Sequence, residues 1–139
     1  MSPEQPVPCE RITYRAILYE NLKDKNGLPK WQNFKRRRAD KKGISLAFTE
    51  ERCTRDLTTE HFGIFTVHVG HVLDVGSTEN PITVMQDEPE HSNIIGLPYL
   101  FDENEQPIED FQLKAKAQHL AELLLEHALE HIHKHSLRI

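Results

Sequence analysis

Nine histidines stand among 139 residues, and two groups of them have spacings that chemistry can use. His127, His131 and His135 recur every four residues near the C-terminus, so on a helix they share one face. Imidazoles one turn apart chelate a transition metal such as zinc. The run His127-Ala128-Leu129-Glu130-His131 is not HExxH, because its glutamate immediately precedes the second histidine. Glu126 and Glu130 offer oxygen ligands nearby. Polar side chains also suit a helix C-terminus with no metal at all. The second group is His61, His68, His71 and His91. His68 and His71 flank Gly70 at the end of an alternating apolar segment, which puts them at one rim of a sheet. A histidine there can act as general acid or base, with Arg15, Tyr14 or Asp74 as helper. The candidate catalytic residues are therefore His68, His71, His91 and Arg15. Their chemistry is that of a hydrolase or nuclease, metal-assisted if the helical histidines hold an ion. The same positions also suit surface histidines bonded to backbone.

A second chemistry lies in Lys30–Lys42, which carries seven basic residues and one acid, Asp40. Lys35, Arg36, Arg37 and Arg38 could neutralise phosphates while Trp31 and Phe34 stack on bases. A nucleic-acid module is expected to be basic overall, with pI above about 9. This chain has net charge −5 and pI ≈ 6.0, so the loop equally suits contact with its own acidic turns. The signs are segregated along the chain. Residues 1–60 hold 13 Lys or Arg against 9 Asp or Glu; residues 61–139 hold 4 against 13. Such patches neutralise one another within a fold or meet complementary partners.

These groups need elements to carry them. Residues 1–10, with three prolines, read as a disordered lead-in, and 11–139 as one domain. Strands are expected over 11–20, 43–48, 62–69, 82–86 and 93–97. In 62–69, Phe65, Val67 and Val69 alternate with Ile64, Thr66 and His68. Thr49 followed by Glu50 and Glu51 starts a short helix over about 50–60. Gly70 and Gly76 bracket a connection, and Asp87–Glu90 is an acidic turn. Pro107 opens one long helix over about 108–135, with Phe111, Leu120, Leu124, Ala128 and Ile132 on its apolar stripe. The expected architecture is α+β: a small antiparallel or mixed sheet of four or five strands, one short helix, and the long helix packed on the sheet. A helix of that length, about 43 Å, exceeds a small domain, so its end projects or meets another chain.

No Walker A, GxGxxG, GxSxG, CxxC or EF-hand pattern occurs. Tyr14-Arg15 with Gly43-Ile44-Ser45 resembles the strand-borne arginine and serine of ADP-ribosyltransferase-like enzymes. That resemblance covers these residues alone and supplies no acidic partner. Cys9 and Cys53 match no redox or zinc spacing and read as free thiols in a reducing cytoplasm. No apolar run is long enough for a membrane span, and no signal peptide opens the chain. The leading reading is a small cytosolic interaction or accessory protein. It would work through Arg36, Arg37 and Arg38 of the basic loop and Leu120, Leu124 and Ile132 of the helix. Its partner is another protein chain, a second copy of itself included. The runner-up is the His-dependent hydrolase, and the third reading is nucleic-acid binding. No cofactor is expected; His127, His131 and His135 are the candidate ligands if a transition metal such as zinc binds.

Overall fold

A computed structural model describes residues 4–55, 57 and 61–130. The chain builds an antiparallel sheet with helices against it. Its strands are β1 (Gln5–Pro6), β2 (Ile12–Ala16), β3 (Ile44–Ala47), β4 (Ile64–His68), β5 (Thr83–Glu88) and β6 (His91–Ile95). Their order across the sheet is β1-β5-β6-β3-β2-β4. The helices are α1 (Glu50–Thr54), α2 (Val69–Val75) and α3 (Phe111–Glu130). None of the described helices is long and apolar enough to cross a membrane.

Strand alternation decides which side chains meet. In the β2–β4 ladder Thr13 lies opposite Val67 and Arg15 opposite Phe65, so all four share one face. Ile44, Leu46, Val84 and Ile94 complete that face, and α3 covers it with Leu120, Ala121, Leu124 and Ala128. The buried positions of α3 step by three and four residues, as a helix laid on a sheet requires. Phe34 enters the same core from a 3-10 turn at Trp31–Phe34 and meets Phe65 edge-on, ring centroids 5.8 Å apart. Burying each such ring is worth about 1.5–3 kcal/mol.

The α+β class, the antiparallel sheet and the long C-terminal helix agree with the sequence reading. The details differ in four places. The sheet has six strands, because Gln5–Pro6, expected in a lead-in, pairs with β5 and draws Val7 into the core. Three helices are present among the described residues, because β4 runs straight into α2 where a connection was expected. Val69 and Val72 bury that extra helix. The long helix starts at Phe111, since Asp110 Oδ1 accepts the Leu113 N–H at 3.0 Å and acts as the cap. Pro107 lies outside it, bridged to Phe101 in extended geometry. Phe111, expected on the stripe, is 88% exposed. The described part of α1 ends at Thr54, and residues 131–139 lie outside the described set.

Gly43 allows β3 to approach β6. Its φ is +145°, and a Cβ there would sit 2.1 Å from the Ile94 carbonyl oxygen.

Candidate active site

Arg15 is the one charged side chain among the buried described residues. Its backbone alternation points it inward, beside Phe65. Strands β2 and β3 share a single rung, Tyr14 opposite Ala47. Beyond that rung the Arg15 side chain takes the place of the ladder. Nη1 donates to the Ser45 carbonyl at 2.9 Å, and Nε donates to the Asn33 carbonyl at 2.8 Å. Asn33 is itself held, its Nδ2 donating to the carbonyls of Leu22 and Lys30. Among the described residues no carboxylate lies within ion-pair distance of Arg15. Burial pushes the guanidinium down to about 10, and Asp40 offsets part of that. Arg15 therefore stays cationic at neutral pH and desolvated, with no carboxylate at ion-pair distance among the described residues, an arrangement that suits a bound anion.

Arg15 is one of the residues lining a cavity of about 220 Å³. Strands β2 and β3 form one wall, α1 and Leu57 another, and the loop carrying Arg37 and Asp40 a third. Helix α1 is fixed there by Thr49, whose hydroxyl accepts the Arg52 N–H at 3.0 Å. Arg52 lines the cavity and reaches out to Glu88 at 3.0 Å. Arg37 lines it too, with Nε 3.5 Å from Asp40 Oδ2. Tyr14 is part of the same lining.

His91 also lines the cavity. Its Nδ1 lies 2.7 Å from Asp87 Oδ1, and Asn93 Nδ2 donates to Asp87 Oδ2 at 2.9 Å. Burial opposes ionisation of Asp87, but the bonds from His91 and Asn93 outweigh it and hold the carboxyl below its usual range. An ionised carboxylate only accepts, so Nδ1 carries the hydrogen and Nε2 is the basic nitrogen. The irregular pairing between Gln86 and Glu88 sets Asp87 off the regular ladder, beside its partner across the turn.

Cys53 also lines the cavity, but burial pushes its thiol up to about 11 despite nearby Arg15. It is a protonated wall, not a nucleophile.

The other expected residues lie elsewhere. His68, His71 and His127 stack in sequence, with centroids 5.2 and 4.9 Å apart. Val67, Val72, Leu124 and Ala128 surround them, and the void there is about 10 Å³, less than a substrate needs. Asp74 is exposed on α2. His61 accepts the Gly63 N–H. His127 therefore points at α2; His131 and His135 lie outside the described residues. No group of three or more metal-ligating side chains stands together among the described residues.

Much of the basic loop is engaged within the chain. Arg36 donates to the carbonyls of Asp40, Leu97 and Lys41 and lies over the Tyr99 ring. Arg37 lies over Tyr19, Arg38 over Phe101, and Lys41 pairs with Glu105 at 2.7 Å. Lys35 is exposed. Phe34 is 1% exposed, so its ring is not available to a base, and Trp31 packs against the core. Leu120 and Leu124 are likewise covered by the chain's own sheet, and Ile132 lies outside the described residues. Ser45 meets Arg15 through its backbone carbonyl.

Asp87, Asn93, Asp40 and Arg52 were not singled out in the sequence. The one available signal was the four-residue step from Asp87 to His91 across the Pro89 turn. No family model matches this chain, and no curated protein or solved structure matches it.

Proposed function

We propose that the protein is a small-molecule hydrolase in which His91 is the acid–base group and Arg15 holds an anionic part of the substrate. One observation carries this reading: a carboxylate-oriented histidine and a buried arginine, with no carboxylate at ion-pair distance among the described residues, line the same cavity. His91 Nε2 takes a proton from water as the water oxygen bonds to the substrate's electrophilic centre. The bond to the leaving-group oxygen breaks, and the same proton returns to that oxygen. The cavity of about 220 Å³ is below the ~300–1,000 Å³ of drug-sized sites, which favours a compact substrate over a nucleic acid.

Reading the chain as an interaction subunit has less support. Arg36, Arg37 and Arg38 lie against the chain's own aromatic rings, and Leu120 and Leu124 against its sheet.

The test is a panel of p-nitrophenyl esters, acyl and phosphoryl, with wild type and His91→Ala. Turnover that falls about 10²–10⁴-fold in the variant is expected. No turnover, or turnover that survives the substitution, overturns the reading.

A further inference from the structure

We infer that the Tyr14 hydroxyl is a second catalytic group of this cavity, the hydrogen-bond donor to the oxygen that stays on the substrate's electrophilic centre. The inference rests on the hydrolase reading of His91. Sheet register carries it. Tyr14 of β2 lies opposite Ala47 of β3, and Ala47 lies opposite His91 of β6. Residues opposite one another share a face, so the three form one row across three neighbouring strands. All three line the cavity. Two strand spacings, about 10 Å, separate the backbones at the ends of the row. The middle position carries only a methyl group. A phenol and an imidazole therefore flank one short stretch of sheet, with Ala47 between them.

Arg15 belongs to the other face of β2. It lies opposite Phe65, and two of its N–H groups are held by the carbonyls of Asn33 and Ser45. Tyr14 is half-buried, and among the described residues no group takes its hydroxyl hydrogen. The roles then divide by what each atom can do. His91 Nε2 is the base toward water, because Nδ1 is bonded to Asp87. As the water oxygen bonds to the centre, negative charge grows on the oxygen that remains there. A phenol O–H donating to that oxygen gains strength as the charge grows, so it lowers the transition state more than the ground state. The Tyr14 hydrogen stays on the phenol oxygen throughout. The proton that His91 took from water goes to the leaving oxygen.

The test uses the p-nitrophenyl ester that wild type turns over fastest, and its analogue with sulfur in place of the oxygen that stays on the centre. Sulfur is a weak hydrogen-bond acceptor, so wild type should favour the oxygen ester, each rate being taken relative to hydrolysis without protein. Tyr14→Phe keeps the ring. It is expected to lower kcat on the oxygen ester about 10²–10³-fold with KM near wild type, and to bring the oxygen-to-sulfur preference close to one. Loss of packing alone would lower both rates alike and leave the preference intact. If Tyr14→Phe fails to fold by circular dichroism, Tyr14→Leu is the second variant, with the same two readouts. An unchanged kcat or an unchanged preference overturns the inference. Turnover that is lost in His91→Ala and kept in Tyr14→Phe overturns it and leaves the hydrolase reading standing. Turnover that survives His91→Ala and depends on Tyr14 in both readouts does the reverse. No turnover of any ester by wild type overturns both.

Discussion

Two histidine regions sit on this sheet, and they have opposite surroundings. His91 has a carboxylate at 2.7 Å and a cavity of about 220 Å³ beside it. His68, His71 and His127 have one another's rings, four apolar neighbours and a void of about 10 Å³. His127 Nδ1 is buried with no hydrogen-bond partner. The residue type is the same in both regions. His91 is a candidate for chemistry because it has an orienting acid, a buried arginine on the same cavity and room for a second molecule.

The strongest way to break this comparison is to exchange the histidines one at a time. His91→Ala should cost about 10²–10⁴ in kcat/KM on whichever ester is turned over. His71→Ala should leave that rate unchanged; steady-state kinetics on both variants, with circular dichroism to check folding, decide it. Next in size is Asp87→Asn, which keeps the ring but loses the group that fixes its tautomer. A rate loss between about tenfold and 10⁴-fold is expected.

The same aspartate gives a pH signature. Its folded-state pKa lies below its unfolded value of about 3.9, so its stabilisation is present above that value and lost as pH falls through the folded one. Urea midpoints of wild type and Asp87→Asn should therefore converge on acidification below about pH 4. A gap that stays constant from pH 6 to 2 would sink the carboxylate–imidazole account.

Cysteine reactivity sharpens the contrast on the cavity side. With its thiol pushed up to about 11, Cys53 holds about 10⁻³ thiolate at pH 8 and should be spared by iodoacetamide while the exposed Cys9 is alkylated. Mass mapping that finds Cys53 labelled first would contradict this. The smallest effect belongs to the stacked region. His127→Leu removes an orphaned buried nitrogen and should raise stability by about 1 kcal/mol, read as an increase in the urea midpoint.

What could be read from the sequence follows from where the signal is local. β4 was legible because Phe65 and Val67 alternate with Ile64 and Thr66, and α3 because Leu120, Leu124 and Ala128 step at helical spacing. β1 was not, because a two-residue edge strand has no period and Pro6 argues against one. Helix α2 was hidden because it leaves β4 without a connecting loop, and its N-cap, His68, makes no side-chain capping bond. At the site, Arg15 and His91 were picked out by residue type alone. Their convergence was not readable, because it depends on strands 76 residues apart in sequence. Phe34 and Arg36 misled for a related reason: aromatic and basic residues side by side look like a nucleic-acid surface until burial and carbonyl partners are known.

The short first strand also bears on how the molecule behaves in company. A sheet edge invites a neighbouring chain to add a strand when it offers a long row of open N–H and C=O groups. Gln5–Pro6 covers part of β5 with two residues, one of which has no N–H to offer. An incoming strand at that margin meets a proline where it would look for a donor, so the side of the sheet nearest the N-terminus is a poor template for edge-to-edge aggregation.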